Sequence, residues 1–176
     1  MKKILTIILT LLPFILITPH VFAEDTDYAE QLRKNGNTTC LDKINSTINW
    51  LIGQDGHVVS QWNVKNPNSH VGVLIGSKQF IDGSVMAHVS ASQNKMGGCD
   101  VVFTHIIPSE KSCPNLRETT FKDWKFFGDM AGVPIYDDPT SSNISASLLT
   151  NKSGCIVTKT GTLFFEKDEP TPKNKN

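Results

Sequence analysis

The sequence has no surplus of positive charge: 17 Lys and Arg stand against 17 Asp and Glu. A protein that grips a polyanion usually carries a basic excess or a basic stripe, so nucleic acid is not an expected partner. Its four cysteines include no Cys-x-x-Cys spacing, which removes the paired-ligand pattern of a structural zinc site. After residue 23 no long apolar run remains, so no membrane span is expected in the mature chain. No internal repeat and no interdomain linker is visible.

What is there begins at the N-terminus. Lys2 and Lys3 precede an apolar run from Ile4 to about Ile17, and Val21-Phe22-Ala23 puts compact residues where a signal peptidase cuts. Pro13 breaks the run, which is shorter than the roughly 18–20 residues of a span. Residues 1–23 therefore read as a cleaved secretory signal peptide, without the cysteine that lipid attachment at the cut requires. Removing it subtracts two lysines and no acid, so the mature chain of 153 residues carries a net charge near −2. That length is enough for one domain with its own core. The Lys/Asn/Ile-rich composition points to a bacterial periplasmic or secreted protein. The expected division is a signal peptide at 1–23, an N-terminal extension at 24–37, one α+β domain at 38–166 and a polar tail at 167–176. Pro170, Pro172 and the alternating Lys and Asn of that tail cannot bury apolar surface.

In an oxidising compartment an even cysteine count reads as two disulfides among Cys40, Cys99, Cys113 and Cys155, with three possible pairings. A strand from Cys99 to about Ile107 would carry the chain about 25 Å. The six residues to Cys113 would then have to come almost straight back, which disfavours Cys99–Cys113. The sequence does not choose further.

Leu41, Ile44, Ile48, Leu51 and Ile52 recur at helical spacing and predict a helix over 39–52, opened by Thr39 with Asp42 as a capping box and closed by Gly53. From Val58 the period changes to two. Strands are expected at 58–64, 71–81, 84–92 and 99–107, with a hairpin at Asp82-Gly83, a turn at 94–98 and a stop at Pro108. Phe121, Trp124, Phe127 and Met130, three apart, predict a second helix over 120–131, capped by Thr120 and Asp123 and ended by Gly132-Val133-Pro134. Two late strands follow near 144–149 and 155–165. The expected fold is α+β: an antiparallel meander packed by an N-terminal helix and a second helix, stabilised by disulfides.

No constellation of residues names a reaction. Ser92-Gln-Asn-Lys95, Ser141-Ser-Asn143 and Lys159-Thr160-Gly161 follow the order used by serine β-lactamases and penicillin-binding proteins. That chemistry needs serine and lysine one turn apart on a buried helix, whereas Ser92 ends a strand and Lys95 sits in a turn. Asp137-Asp138-Pro139 lacks the regular oxygen spacing of a calcium loop. The sequons at Asn37, Asn45, Asn143 and Asn151 would be glycan candidates in a eukaryotic secretory pathway, with Asn45 poorly placed inside the first helix. In an Asn- and Ser/Thr-rich bacterial protein, the favoured reading, they carry no meaning. Among Trp50, Trp62, Trp124, Phe126 and Phe127, core packing is the default, although adjacent Phe126 and Phe127 cannot share one helix face.

The weak catalytic candidates are His88, His105 and Asp100. A pairing sum near 193 across the 94–98 turn would set the two histidines opposite each other, where two imidazoles could bind a metal or share a proton. A slip of one residue would send them to opposite faces. The apolar residues do not decide, because Val101, Phe103 and Ile107 lie on one face and Val102 and Ile106 on the other. No cofactor and no metal is expected. The reading is an exported, non-enzymatic binding or accessory protein acting on a protein or envelope partner. The alternative is a small envelope hydrolase or metal-binding enzyme using His88 and His105.

Overall fold

The computed structural model describes residues 28–34, 36, 38–81 and 83–167. The expected signal peptide and nearly all of the expected tail lie outside them. Three short helices, α1 (Tyr28–Lys34), α2 (Leu41–Ile52) and α3 (Cys113–Thr119), accompany eight strands. The strands are β1 (His57–Gln61), β2 (Gly72–Phe80), β3 (Gly83–Gln93), β4 (Cys99–Ser109), β5 (Lys125–Met130), β6 (Val133–Asp138), β7 (Ser141–Asn151) and β8 (Gly154–Phe165). They form one antiparallel sheet in the order β1-β2-β3-β4-β8-β7-β6-β5. The α+β expectation is therefore met only in part, since the molecule is mainly β with few helices.

α2 forms where its apolar stripe predicts, and all five stripe residues are buried. The expected capping box does not form. Cys40 occupies the N-cap position at φ 61°, no side chain caps the helix, and the Thr39 hydroxyl donates to Asn68 Oδ1 at 3.1 Å instead. The helix start is held by the Cys40–Cys99 disulfide. Gly53 closes the helix, its N–H donating to Asn49 O. α1 comes from the segment expected to be an extension, yet Tyr28 and Leu32 join the core. The Tyr28 hydroxyl donates to Gly56 O at 2.8 Å.

The expected helix over 120–131 is replaced by two other elements. α3 starts earlier, with Ser112 as N-cap accepting from Asn115 N–H and Pro114 in the first turn, and Thr120 is its C-cap rather than the start of a new helix. Residues 125–130 are strand β5, paired with β6 through a bulge between Phe126 and Gly128. The hairpin turn is Ala131-Gly132, with both φ values positive at 55° and 85°, as a two-residue turn between twisted strands requires. Gly132, expected to stop a helix, in fact turns a hairpin. Pro108 does not end β4 either. β3 pairs with β4 only as far as Met86↔Ile106, so position 108 has a single neighbour, Ile156 of β8, and the missing N–H breaks no ladder on the other side.

A duplication of topology appears that the sequence does not display. Each half is a helix followed by a four-stranded meander, α2-β1-β2-β3-β4 and then α3-β5-β6-β7-β8, joined through β4 and β8. In each half a cysteine at the helix start is bonded to a cysteine at the head of the fourth strand: Cys40–Cys99 and Cys113–Cys155. Thr104 and Thr160, each five residues beyond that strand cysteine, pair with one another at the middle of the β4–β8 ladder. A local two-fold axis thus passes near this pair.

Candidate functional site

The registers assign every strand residue to one of two faces. Leu74, Val85, Ala87, Val89, Ala91, Val101, Phe103, Ala146, Leu148 and Val157 share one face and are buried. α1 and α2 cover this face over the first half, and α3 with the Phe121–Trp124 turn covers it over the second. Across β2, β3, β4, β7 and β8, no residue of the opposite face is buried.

The pairing sum across the 94–98 turn is 192, not 193: Ala87 lies opposite His105 and His88 opposite Thr104. His88 is therefore on the uncovered face and His105 on the covered one. The sheet lies between them, so the two imidazoles cannot act on one ligand. Asp100 shares the uncovered face with His88 but sits four residues before Thr104 along β4, about 13 Å away. It accepts from Asn94 Nδ2 at 3.1 Å and so helps to hold the turn.

On the covered face His105 faces Lys159 across the β4–β8 ladder. Its Nε2 is buried and has no hydrogen-bond partner. Burial, with a smaller contribution from the Lys159 charge, lowers its pKa from 6.5 to about 4, because an imidazolium there would lose hydration without gaining a counter-charge. Lys159 itself is held 5.6 Å from the Trp124 ring centroid and 5.7 Å from that of Phe121. At neutral pH His105 is thus an uncharged member of the packing between the two helical covers.

The uncovered face differs from an ordinary solvated sheet face. Its central rows read Val59–Ile75–His88–Thr104–Thr160–Ser145 and Ser77–Met86–Ile106–Thr158–Ser147. Ser90–Val102–Thr162 and Ile156–Leu149 flank them. Aliphatic and hydroxyl side chains fill most of these rows, and on strands β2, β3, β4, β7 and β8 Asp100 is the only formally charged residue of this face. Met86, Val102, Ile106 and Phe164 stand exposed on it, at 49%, 48%, 37% and 61%. Depletion of charge is what distinguishes the centre of a protein interface from the remaining surface. These five strands, about 4.8 Å apart and about 35 Å long, present roughly 850 Å², and beyond them Asp137 of β6 and Lys125 of β5 bring charge back to this face. A standard interface buries about 800 Å² on each side.

The remaining residues singled out in the sequence serve the fold. Asp137 accepts from the Ser145 hydroxyl at 2.9 Å, and Asp138 accepts from Thr140 N–H at 2.7 Å and from the Thr140 hydroxyl. Trp50 meets Phe103 edge-on at 5.4 Å, Trp62 packs on the first core, and Phe126 and Phe127 are both largely exposed on edge strand β5. Among the described residues no group of three His, Cys, Asp or Glu side chains could hold a metal ion, and no helix is long and apolar enough to cross a membrane. Comparison with protein-family models, with curated proteins and with solved structures gives no match for this chain.

Proposed function

We propose that the protein is an exported, non-enzymatic binding module whose uncovered sheet face docks against a protein partner in the cell envelope. The observation that carries this reading is the near-absence of charge from a broad sheet face that also exposes aliphatic side chains. A face left to water gains nothing from Val102, Ile106 and Met86 and is normally solubilised by charge. Two disulfides support export, since such bonds persist in oxidising compartments. The partner matched to this surface is itself uncharged at the centre of contact, with hydroxyl or amide groups to meet the threonine and serine rows.

Site-specific photo-crosslinking in the native host tests the reading. A photoreactive residue at Val102 or Thr160 is expected to trap one discrete protein, whereas the same residue at exposed Trp50, on the helical side, is not. Equal trapping from position 50, or none from 102 and 160, would overturn the assignment of this face.

A further inference from the structure

Separate from the docking face, a cavity of about 480 Å³ lies between α3 and the turn joining β5 to β6. An enclosed space of about 150 Å³ holds benzene, so this one is large enough for a ligand with a substantial apolar body. Its walls include Pro114, Val133, Pro134 and Leu148. Arg117 and Tyr136 line it as well. Arg117 is half-buried and held from two sides: it lies 4.8 Å over the Tyr136 ring, and Nη1 donates to Phe121 O.

Arginine carries five N–H donors, and Phe121 takes one of them. Among the described residues no carboxylate lies within ion-pair distance of Arg117, the ion pairs being Arg33–Glu30 and Lys78–Asp55. The Tyr136 hydroxyl makes no hydrogen bond among the described residues. A pre-oriented guanidinium with no carboxylate partner, beside the apolar side chains of a groove, is complementary to a planar anion, because its fork matches both carboxylate oxygens. Glu118 also lines the cavity. Its charge opposes a second negative group, so the matching ligand carries one.

We propose that this cavity binds the monocarboxylate of a ligand with an apolar body, with Arg117 taking the carboxylate, Tyr136 donating to it, and Val133, Pro134 and Leu148 receiving the apolar part. Two sources share this chemistry, a free organic acid and the C-terminus of a peptide.

The test is an NMR titration of the full mature protein with 4-phenylbutyrate and, in parallel, with its uncharged amide. The acid is expected to shift the Arg117 Nε–H signal and the Val133 and Leu148 methyls saturably. The amide should bind at least about tenfold more weakly, the loss of one charge-assisted contact. Glu118→Gln should tighten the acid, and Arg117→Lys should weaken the acid while leaving the amide unchanged. A Gly-Phe-Leu tripeptide with a free or amidated C-terminus separates the sources: tighter binding of the free tripeptide than of phenylbutyrate assigns a peptide end, and the reverse assigns a free acid. Equal affinity for acid and amide, or shifts confined to other surfaces, would overturn the proposal without bearing on the docking face.

Discussion

Protonation of His105 should destabilise the fold, and the effect can be sized. The unfolded chain takes up this proton near pH 6.5, whereas the folded protein resists it until about pH 4. Between those values unfolding is accompanied by proton uptake, so stability is complete above about pH 6.5, declines as the pH falls, and stops declining below about 4. The separation corresponds to about 3 kcal/mol at 1.36 kcal/mol per pKa unit. His105 is only partly withdrawn from water, and screening reduces this to roughly 1–2 kcal/mol. For a domain of this size that is a melting temperature lower by roughly 3–6 °C at pH 4.5 than at pH 7. The assay is thermal unfolding across pH for the wild type and His105→Leu, whose curve should lack this component, together with an NMR titration of the His105 ring. A ring that titrates near 6.5, or a variant whose pH dependence parallels the wild type, would refute the burial argument.

Other outcomes follow from the same geometry. The disulfides close loops with separations of 59 and 42 residues, and the logarithmic dependence on loop length makes each worth about 4 kcal/mol in the chain-entropy account. Replacing either pair by alanine should therefore lower stability to urea by similar amounts, and a threefold difference would show that the two halves are not equivalent staples. At Gly161 an added Cβ would meet Phe103 at 2.6 Å and Ile144 at 3.0 Å, whereas at Gly128 it would meet nothing within 4 Å. Gly161→Ala should cost roughly 1–3 kcal/mol and Gly128→Ala at most about 0.5 in the same unfolding assay, and equal costs would contradict the packing of Phe103 under the sheet centre. Tyr28→Phe removes the bond to Gly56 O and should cost about 1 kcal/mol. No change in unfolding would mean that α1 is not docked in solution.

The strands from 57 to 109 are legible because side-chain alternation and turn residues agree there. Residues 120–131 mislead because Phe121, Trp124, Phe127 and Met130 recur every three residues for reasons other than a helix. Phe121 and Trp124 pack edge-on at 5.0 Å in the turn after α3, Phe126 meets Tyr136 at 5.8 Å across a strand pair, and Phe127 occupies the bulge. The duplication is hidden because the halves share cysteine positions and topology while their lengths differ: α2 has 12 residues and α3 has 7. The register between His88 and His105 could not be read for a more instructive reason. Patterning fixes a register only when one face is apolar and the other polar, and β4 is apolar on both. Val102 and Ile106, which defeat the pattern, are among the exposed aliphatic side chains of the uncovered face on which the proposed docking rests. The cavity beside Arg117 left no trace in the sequence, since α3, β6 and β7 bring its walls together only on folding.

The most direct test of the docking face is the affinity of the purified protein for the partner trapped at Val102, measured with Ile106→Arg and Thr160→Arg beside Trp50→Arg. The account predicts that either sheet-face substitution weakens binding by at least about a hundredfold, as expected for an unpaired charge at an interface centre. It also predicts that both sheet-face variants melt as the wild type does, and that Trp50→Arg, although it loses the edge-on contact with Phe103, binds as the wild type does. Wild-type affinity in both sheet-face variants would contradict it.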